Sequence, residues 1–252
     1  MVHTLVCPYL PAGRVTNAIV SGEISGEIIN SLKESGINPI FTEANSSLPL
    51  QLSYHADMQL VNISKGLFVY APDTSENTLL QLENLGFELI QGSVPVKDYY
   101  PFDVAYNCAI VGKNAFLNPK YTDSIILELL AKNNIKVHPI KQGYAKCSTA
   151  VVSEESIITA DTQIYKKAVE AGLDALLIPP QKNIILKGYD YGFIGGCSGL
   201  ISDKKIAFFG DLRTSKNADE IVGFCMKHGK AVVSLAKGNL IDLGGLFPLT
   251  SV

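Results

Sequence analysis

Polar and apolar positions recur along this chain in blocks. Each block reads as a short apolar strand, a turn of small and charged residues, a second apolar strand, an amphipathic helix and a third strand. The second strands mark the repeat best: 67–70, 116–118, 157–159 and 206–209 start 49, 41 and 49 residues apart. Turn-like tetrads precede them, ISKG (63–66), GKNA (112–115), SEES (153–156) and SDKK (202–205), and such residues suit hairpins. Apolar residues then fall at spacings of three and four, which puts them on one helix face. They are Leu79, Leu82 and Leu85 in 75–85, Ile125, Ile126, Leu129 and Leu130 in 122–133, Ile164, Ala168 and Val169 in 162–171, and Ala218, Ile221, Val222 and Cys225 in 215–228. Ser75 and Thr122 are predicted amino-terminal caps, and Gly86, Gly172 and Gly229 are predicted helix ends. Third strands follow at 87–90, 135–140, 175–179 and 231–235.

The two ends supply parts of a fifth block. Strand-like segments at 2–10 and 17–20 lead into a helix over 22–35, with Ile24, Ile28 and Leu32 inward, and a strand at 38–42. At the carboxyl end, 239–250 supplies a leading strand with no helix behind it. Pairing the last strand with the first block removes exposed sheet edges. The expectation is an α/β, five-fold pseudo-symmetric ββαβ propeller, closed by the carboxyl-terminal strand, with residues 1–252 as one domain. An open array of four blocks is the alternative, and it leaves both ends unexplained.

Composition narrows the function classes. The 252 residues are 47% hydrophobic and 18% charged, the balance of a packed globular chain. A net charge of -3 gives no basic footprint for nucleic acid. No apolar run is long enough to span a membrane, and no signal-peptide pattern opens the chain. The five cysteines are odd in number and contain no CxxC pair, which argues for free thiols, a reducing cytoplasmic setting and no metal site. Phosphate-loop, dinucleotide and HExxH motifs are absent, so no cofactor is expected.

The stretch 54–72 (YHADMQLVNISKGLFVYAP) organises the rest. It reads as two strands joined by a turn, with His55 and Asp57 at the start of the first. Alternation along a strand sends residues i and i+2 to one face, so an imidazole and a carboxylate project together.

The five-block pattern, with His55-Ala56-Asp57 at a hairpin start, resembles the guanidino-group-modifying branch of the pentein superfamily over nearly the whole chain. That branch contains dimethylarginine hydrolases, arginine and agmatine deiminases and amidinotransferases. The segment 13–41 resembles the strand and helix ahead of the family's His-x-Asp motif, and 106–111 (YNCAIV) looks like the unit after it, making Asn107 a substrate-contact candidate. Family order then points to Cys147, in YAKCSTAVV, as nucleophile. Other features depart from the pattern. No glycine pair precedes Cys147. Gly195-Gly196-Cys197 has the pair, but with Ile194 where the family has an acid. The strand GGLFPLT resembles the nucleophile strand but carries Pro248 at the cysteine position. Either a circular permutation, with Asp242-Leu243-Gly244-Gly245 as the acid and double-glycine motif, or a degenerate, inactive ring reconciles these.

The resemblance implies a small guanidino or amidino ligand, with no nucleic-acid, membrane or metal partner. A guanidinium is planar and permanently cationic, so its pocket needs carboxylates, for which Asp57 and Asp242 are the candidates. Attack on its central carbon suits a thiolate beside a cation. A histidine held by a carboxylate can protonate the leaving amine. The implied set is Cys147, His55 and Asp57 as catalytic residues, with Asp242, Asn107, Gly195, Gly196 and Cys197 around the substrate. The implied activity is cysteine-dependent hydrolysis or amidino transfer, and the competing class is an inactive pentein that binds a ligand or a macromolecule.

Overall fold

The computed structural model describes residues 3–180 and 182–252. Its elements, in chain order, are β1 (His3–Thr4), β2 (Val15–Ser21), α1 (Gly26–Glu34), β3 (Asn38–Thr42), α2 (Ala56–Gln59), β4 (Leu60–Ser64), β5 (Leu67–Tyr70), α3 (Glu76–Asn84) and β6 (Glu88–Gln91). They continue with β7 (Ala109–Val111), β8 (Asn114–Leu117), α4 (Ser124–Lys132), β9 (Lys136–Pro139), β10 (Thr149–Ser153), β11 (Ser156–Thr159), α5 (Thr162–Glu170) and β12 (Asp174–Leu177). The last are β13 (Ser198–Ser202), β14 (Lys205–Phe208), α6 (Ala218–Lys227), β15 (Ala231–Ser234) and β16 (Phe247–Ser251).

Among the described residues these strands form five small sheets. Four repeat one plan: an antiparallel hairpin, a helix, and a third strand parallel to the second, in the orders β4-β5-β6, β7-β8-β9, β10-β11-β12 and β13-β14-β15. The remaining sheet joins the two ends of the chain in the order β1-β16-β2-β3. There β16 takes the leading-strand place, antiparallel to β2, and α1 connects β2 to the parallel β3. Pro248, which has no N–H to donate, pairs with Ala18 beside a register shift that interrupts the ladder before Thr250.

Local chemistry explains the helix limits. Ser75 caps α3 by accepting from the Asn77 N–H, and Asp161 caps α5 by accepting from Gln163 and Ile164. The cap of α4 is Asp123 rather than Thr122, because its carboxylate reaches both the Ile125 N–H at 2.8 Å and the preceding loop. Gly86, Gly172 and Gly229 end their helices at φ of 84°, 85° and 69°, a left-handed conformation that glycine adopts without strain. The centres of the stripes are buried, Leu82, Ile126, Ile164 and Ile221 among them, but Val169 of α5 is 50% exposed because it falls off the face set by Ile164 and Ala168. Each such side chain contributes roughly 1.5–3 kcal/mol of transfer free energy.

Two predicted elements differ. The strand over 2–10 shrinks to β1, with residue 2 outside the described residues. Pro8 cannot donate to a ladder, and Tyr9 sits at φ 63° inside a tight Cys7–Leu10 turn. The turn delivers the Tyr9 ring edge-on to Phe247, 4.9 Å between centroids. The helix predicted over 22–35 starts later, at Gly26, with Ser25 as cap.

Candidate active site

His55 and Asp57 do not lie on a strand. Ala56, Asp57, Met58 and Gln59 form a single helical turn, α2, with His55 in extended conformation just before it. The Met58 N–H closes this turn on the His55 carbonyl at 3.3 Å. Strand pairing starts only at Leu60. Cys147 is likewise on a turn, 144–148, ahead of β10. The same holds for Asn107 before β7, Gly195-Gly196-Cys197 before β13 and Asp242 before β16. The candidates therefore fall into five groups, each on the segment that leads into the leading strand of one of the five sheets.

These lead-in turns are bonded to one another. Asn107 Nδ2 donates to the Asp57 carbonyl at 3.0 Å, and Asn107 Oδ1 accepts from the Lys146 N–H at 2.7 Å. The N–H groups of Gly195 and Gly196 donate to the Cys147 carbonyl at 2.8 and 3.1 Å. The Gly196 carbonyl accepts from Leu243 and Gly245 at 3.0 and 2.8 Å. Glycine is required at these contacts: a Cβ on Gly244 would lie 2.6 Å from the His55 Cα, and one on Gly196 would overlap Asp242 Oδ1.

Inside this frame the Cys147 thiol donates to Asp57 Oδ2 at 3.0 Å and accepts from Asn107 Nδ2 at 3.0 Å. His55 Nδ1 lies 3.9 Å from Asp57 Oδ1 and 3.8 Å from Asp242 Oδ1. Both His55 Nδ1 and Asp57 Oδ1 are buried with no hydrogen-bond partner among the described residues. Buried polar atoms cost free energy when unpaired, and these two lie 3.9 Å apart. Asp242 is more committed, with Oδ2 accepting from the Phe193 N–H at 2.8 Å and Oδ1 from the Gly244 N–H at 3.2 Å.

Electrostatics contradict one expectation. A thiolate beside a cation was predicted, but burial pushes the Cys147 thiol well above its ordinary pKa, and Asp57 and Asp242 push it further. The resting group is the neutral thiol. Burial raises the Asp242 carboxyl and the Cys197 thiol as well.

A cavity of about 220 Å³ is lined by Cys147, His55 and Asp242 together with Leu52, Tyr144, Leu186, Tyr189, Asp190, Tyr191 and Phe193. Asp57 and Asn107 stand behind the sulfur. Gly195, Gly196 and Cys197 do not line the cavity; Cys197 gives its thiol hydrogen to the Ile194 carbonyl at 3.3 Å. Leu246 and Phe247 do not fill it either, since they pack around Tyr9 and Lys146.

The sequence reading missed Lys146 and the aromatic wall. Lys146 is 4% exposed, its ammonium 3.3 Å from the Gly195 carbonyl and 5.3 Å from the ring centroids of both Tyr9 and Phe247. Desolvation lowers its pKa, while Asp57, Cys147 and Asp242 oppose that shift. A lysine set among small and apolar residues in YAKCSTAVV was the available signal. For the wall it was the aromatic run YDYGF at 189–193. Among the described residues no three His, Cys, Asp or Glu side chains gather as a metal site, and no helix is long and apolar enough to cross a membrane.

Residues 19–247 match the family of unknown function DUF6873. The chain belongs to DUF6873. A comparison with curated proteins finds no match for this DUF6873 chain. Among solved structures it is similar to the inosamine-phosphate amidinotransferase from Streptomyces griseus, at TM-score 0.61 and 10% identity over 98% of this chain and 97% of that one. It is also similar to the agmatine deiminase of C. jejuni, at TM-score 0.54 and 10% identity over 94% and 90% of the two chains. A third likeness is to DDAH from Pseudomonas aeruginosa, solved with citrulline, at TM-score 0.52 and 8% identity over 88% and 92%. At these identities the shared property is the fold. The DUF6873 chain has the mixed α/β fold of several small sheets seen in these amidinotransferase, agmatine deiminase and DDAH structures.

Proposed function

We propose that this chain is a cysteine-dependent hydrolase or amidinotransferase acting on a small guanidino or amidino compound. We propose also that its five sheets form one domain, closed as a five-fold ring with the cavity on its axis. The carrying observation is the Cys147 thiol, hydrogen-bonded to Asp57 and lining a cavity together with His55, whose Nδ1 has no partner among the described residues. For the ring, the support is the succession of contacts from turn to turn, which returns from Gly244 to His55.

In this reading the guanidinium lies over the sulfur with its N–H groups toward Asp242, and its positive charge offsets the carboxylates that hold the thiol neutral. Asp57 takes the thiol proton and passes it toward His55. The thiolate forms a bond to the central carbon, the bond from that carbon to the leaving nitrogen breaks, and the proton ends on the departing amine. Water or an acceptor amine then displaces the sulfur from the amidino-thioether, releasing a urea-type product or the transferred amidino group and returning the thiol.

Replacing Cys147→Ser is expected to lower turnover of a responsive guanidino compound by at least about a thousandfold, with the cavity intact. Unchanged turnover removes Cys147 from the mechanism. The neutral resting thiol supports a second reading, an inactive pentein that binds the same cation or a macromolecule. In that case a guanidine binds equally to the native chain and to Cys147→Ser, and no amine is released from either.

A further inference from the structure

We propose, resting on that reading of the site, that the guanidino or amidino ligand of this chain carries no carboxylate and has an apolar or aromatic tail. Between the thiol and the outside, the wall is built from rings and aliphatic side chains. Tyr144 and Phe193 lie 6.0 Å apart at a 31° tilt, Tyr191 meets Phe193 edge-on at 5.9 Å, and Tyr100 continues the series 5.7 Å from Tyr144. Leu52 and Leu186 line the same cavity. A tail leaving the reacting end runs along these faces.

The charges on the cavity are of one kind. Asp190 and Asp242 line it, Asp57 stands behind the sulfur, and among the described lining residues none is lysine or arginine. Lys146, the nearest buried cation, does not line the cavity, and its ammonium is turned to the Gly195 carbonyl and the Tyr9 and Phe247 rings. Three donors at the cavity are committed elsewhere, which leaves the His55 ring and the Tyr189 and Tyr191 hydroxyls, all weak partners for a carboxylate beside Asp190 and Asp242. The Tyr144 hydroxyl donates to Asp103 Oδ2 at 2.6 Å, the Phe193 N–H to Asp242 Oδ2, and the Gly192 N–H to the Ile184 carbonyl at 2.7 Å. A carboxylate entering here loses water, gains no cation and meets fixed negative charge, which counts against it by desolvation and repulsion together.

The wall is also fixed in place before any ligand arrives. Leu186 and the residues 189–193 come from the long connection between β12 and β13, whose Ile185 N–H donates to the Leu240 carbonyl at 2.8 Å and whose Ile185 carbonyl accepts from the Asp242 N–H at 2.9 Å. Asp242 therefore holds both strands of this loop, through its main chain at Ile185 and its side chain at Phe193. A pre-formed wall selects tails by shape without an ordering cost.

Butylguanidine and 4-guanidinobutanoate share the guanidinium and a four-carbon chain length and differ in the terminal carboxylate. Titration calorimetry on the full chain is expected to give a Kd at least tenfold lower for butylguanidine, and lower again for phenethylguanidine. Asp190→Arg, at an exposed position on the cavity, is expected to shift the ratio of the two affinities at least threefold toward 4-guanidinobutanoate. Equal binding of the first pair, or preference for the acid, overturns this inference and leaves the guanidine site standing. Failure of phenethylguanidine to exceed butylguanidine removes the aromatic part. Binding of none of the three overturns the reading of the site itself, and this inference with it.

Discussion

At Cys147 one side chain receives opposing instructions. Asn107 donates to the sulfur and favours thiolate, while burial and two carboxylates favour the neutral thiol, and the latter prevail. Removing the Asp57 charge should bring the thiol pKa down. In Asp57→Asn the alkylation rate by iodoacetamide, followed against pH, is therefore expected to rise at lower pH than in the native chain. An unmoved profile would show that Asp57 does not govern the thiol. A saturating guanidine should likewise lower the native thiol's pKa while shielding it from the reagent. Sequence proximity suggested His55 and Asp57 as partners, and they are near neighbours, but the reason was misread. Asp57 reaches the thiol from a helical turn and His55 sits extended just before it, 3.9 Å from the Asp57 carboxylate, whereas the strand alternation that suggested the pairing starts only at Leu60.

Among the elements, α4 and α5 look alike in sequence and are anchored differently. Asp161 caps α5 and is partly exposed. Asp123 is fully buried; one oxygen caps α4, and the other accepts from the Ser93 and Val94 N–H groups at 2.7 Å each and from the Tyr106 hydroxyl at 3.2 Å. Asp161→Ala removes a cap, an expected loss of about 1 kcal/mol. Asp123→Ala also strands buried donors, so its expected loss is about 2–4 kcal/mol in urea unfolding. Equal losses would show that water satisfies those donors. Glycine positions divide in a similar way. Gly223 in α6 faces open space, and Gly223→Ala is expected to stabilise by about 0.5–1 kcal/mol through helix propensity. Helices, their stripes and their glycine ends were legible because they depend on residues three or four apart. The Asp123 cap was not, because half its partners come from a loop some thirty residues earlier.

For the whole molecule, the buried thiols link stability to alkaline pH. Burial raises Cys108, Cys147, Cys197 and Cys225, the last to about 12. Above the ordinary thiol value the unfolded chain loses these protons first and the native chain keeps them. The unfolded state then binds fewer protons, so stability falls as pH rises, by up to about 1.4 kcal/mol per pH unit for each such thiol. Urea midpoints measured from pH 7.5 to 10 should decline, and Cys225→Ala should flatten the decline. A flat native profile would mean that the thiols ionise in the folded chain.

Period, helix faces and hairpin turns were present in the linear chain, because each depends on contacts among near neighbours. From them came the repeated strand-strand-helix-strand plan and the expectation that the last strand lies beside the first, which β16 does between β1 and β2. The site was beyond such reasoning in its particulars. Its members come from separate lead-in turns, its thiol is set by charges far away in sequence, and Lys146 and the wall at 184–193 gain their places only when the sheets meet. Local rules act over a few residues; burial, charge and cavity shape are properties of chain segments brought together, and only the tertiary structure assembles them.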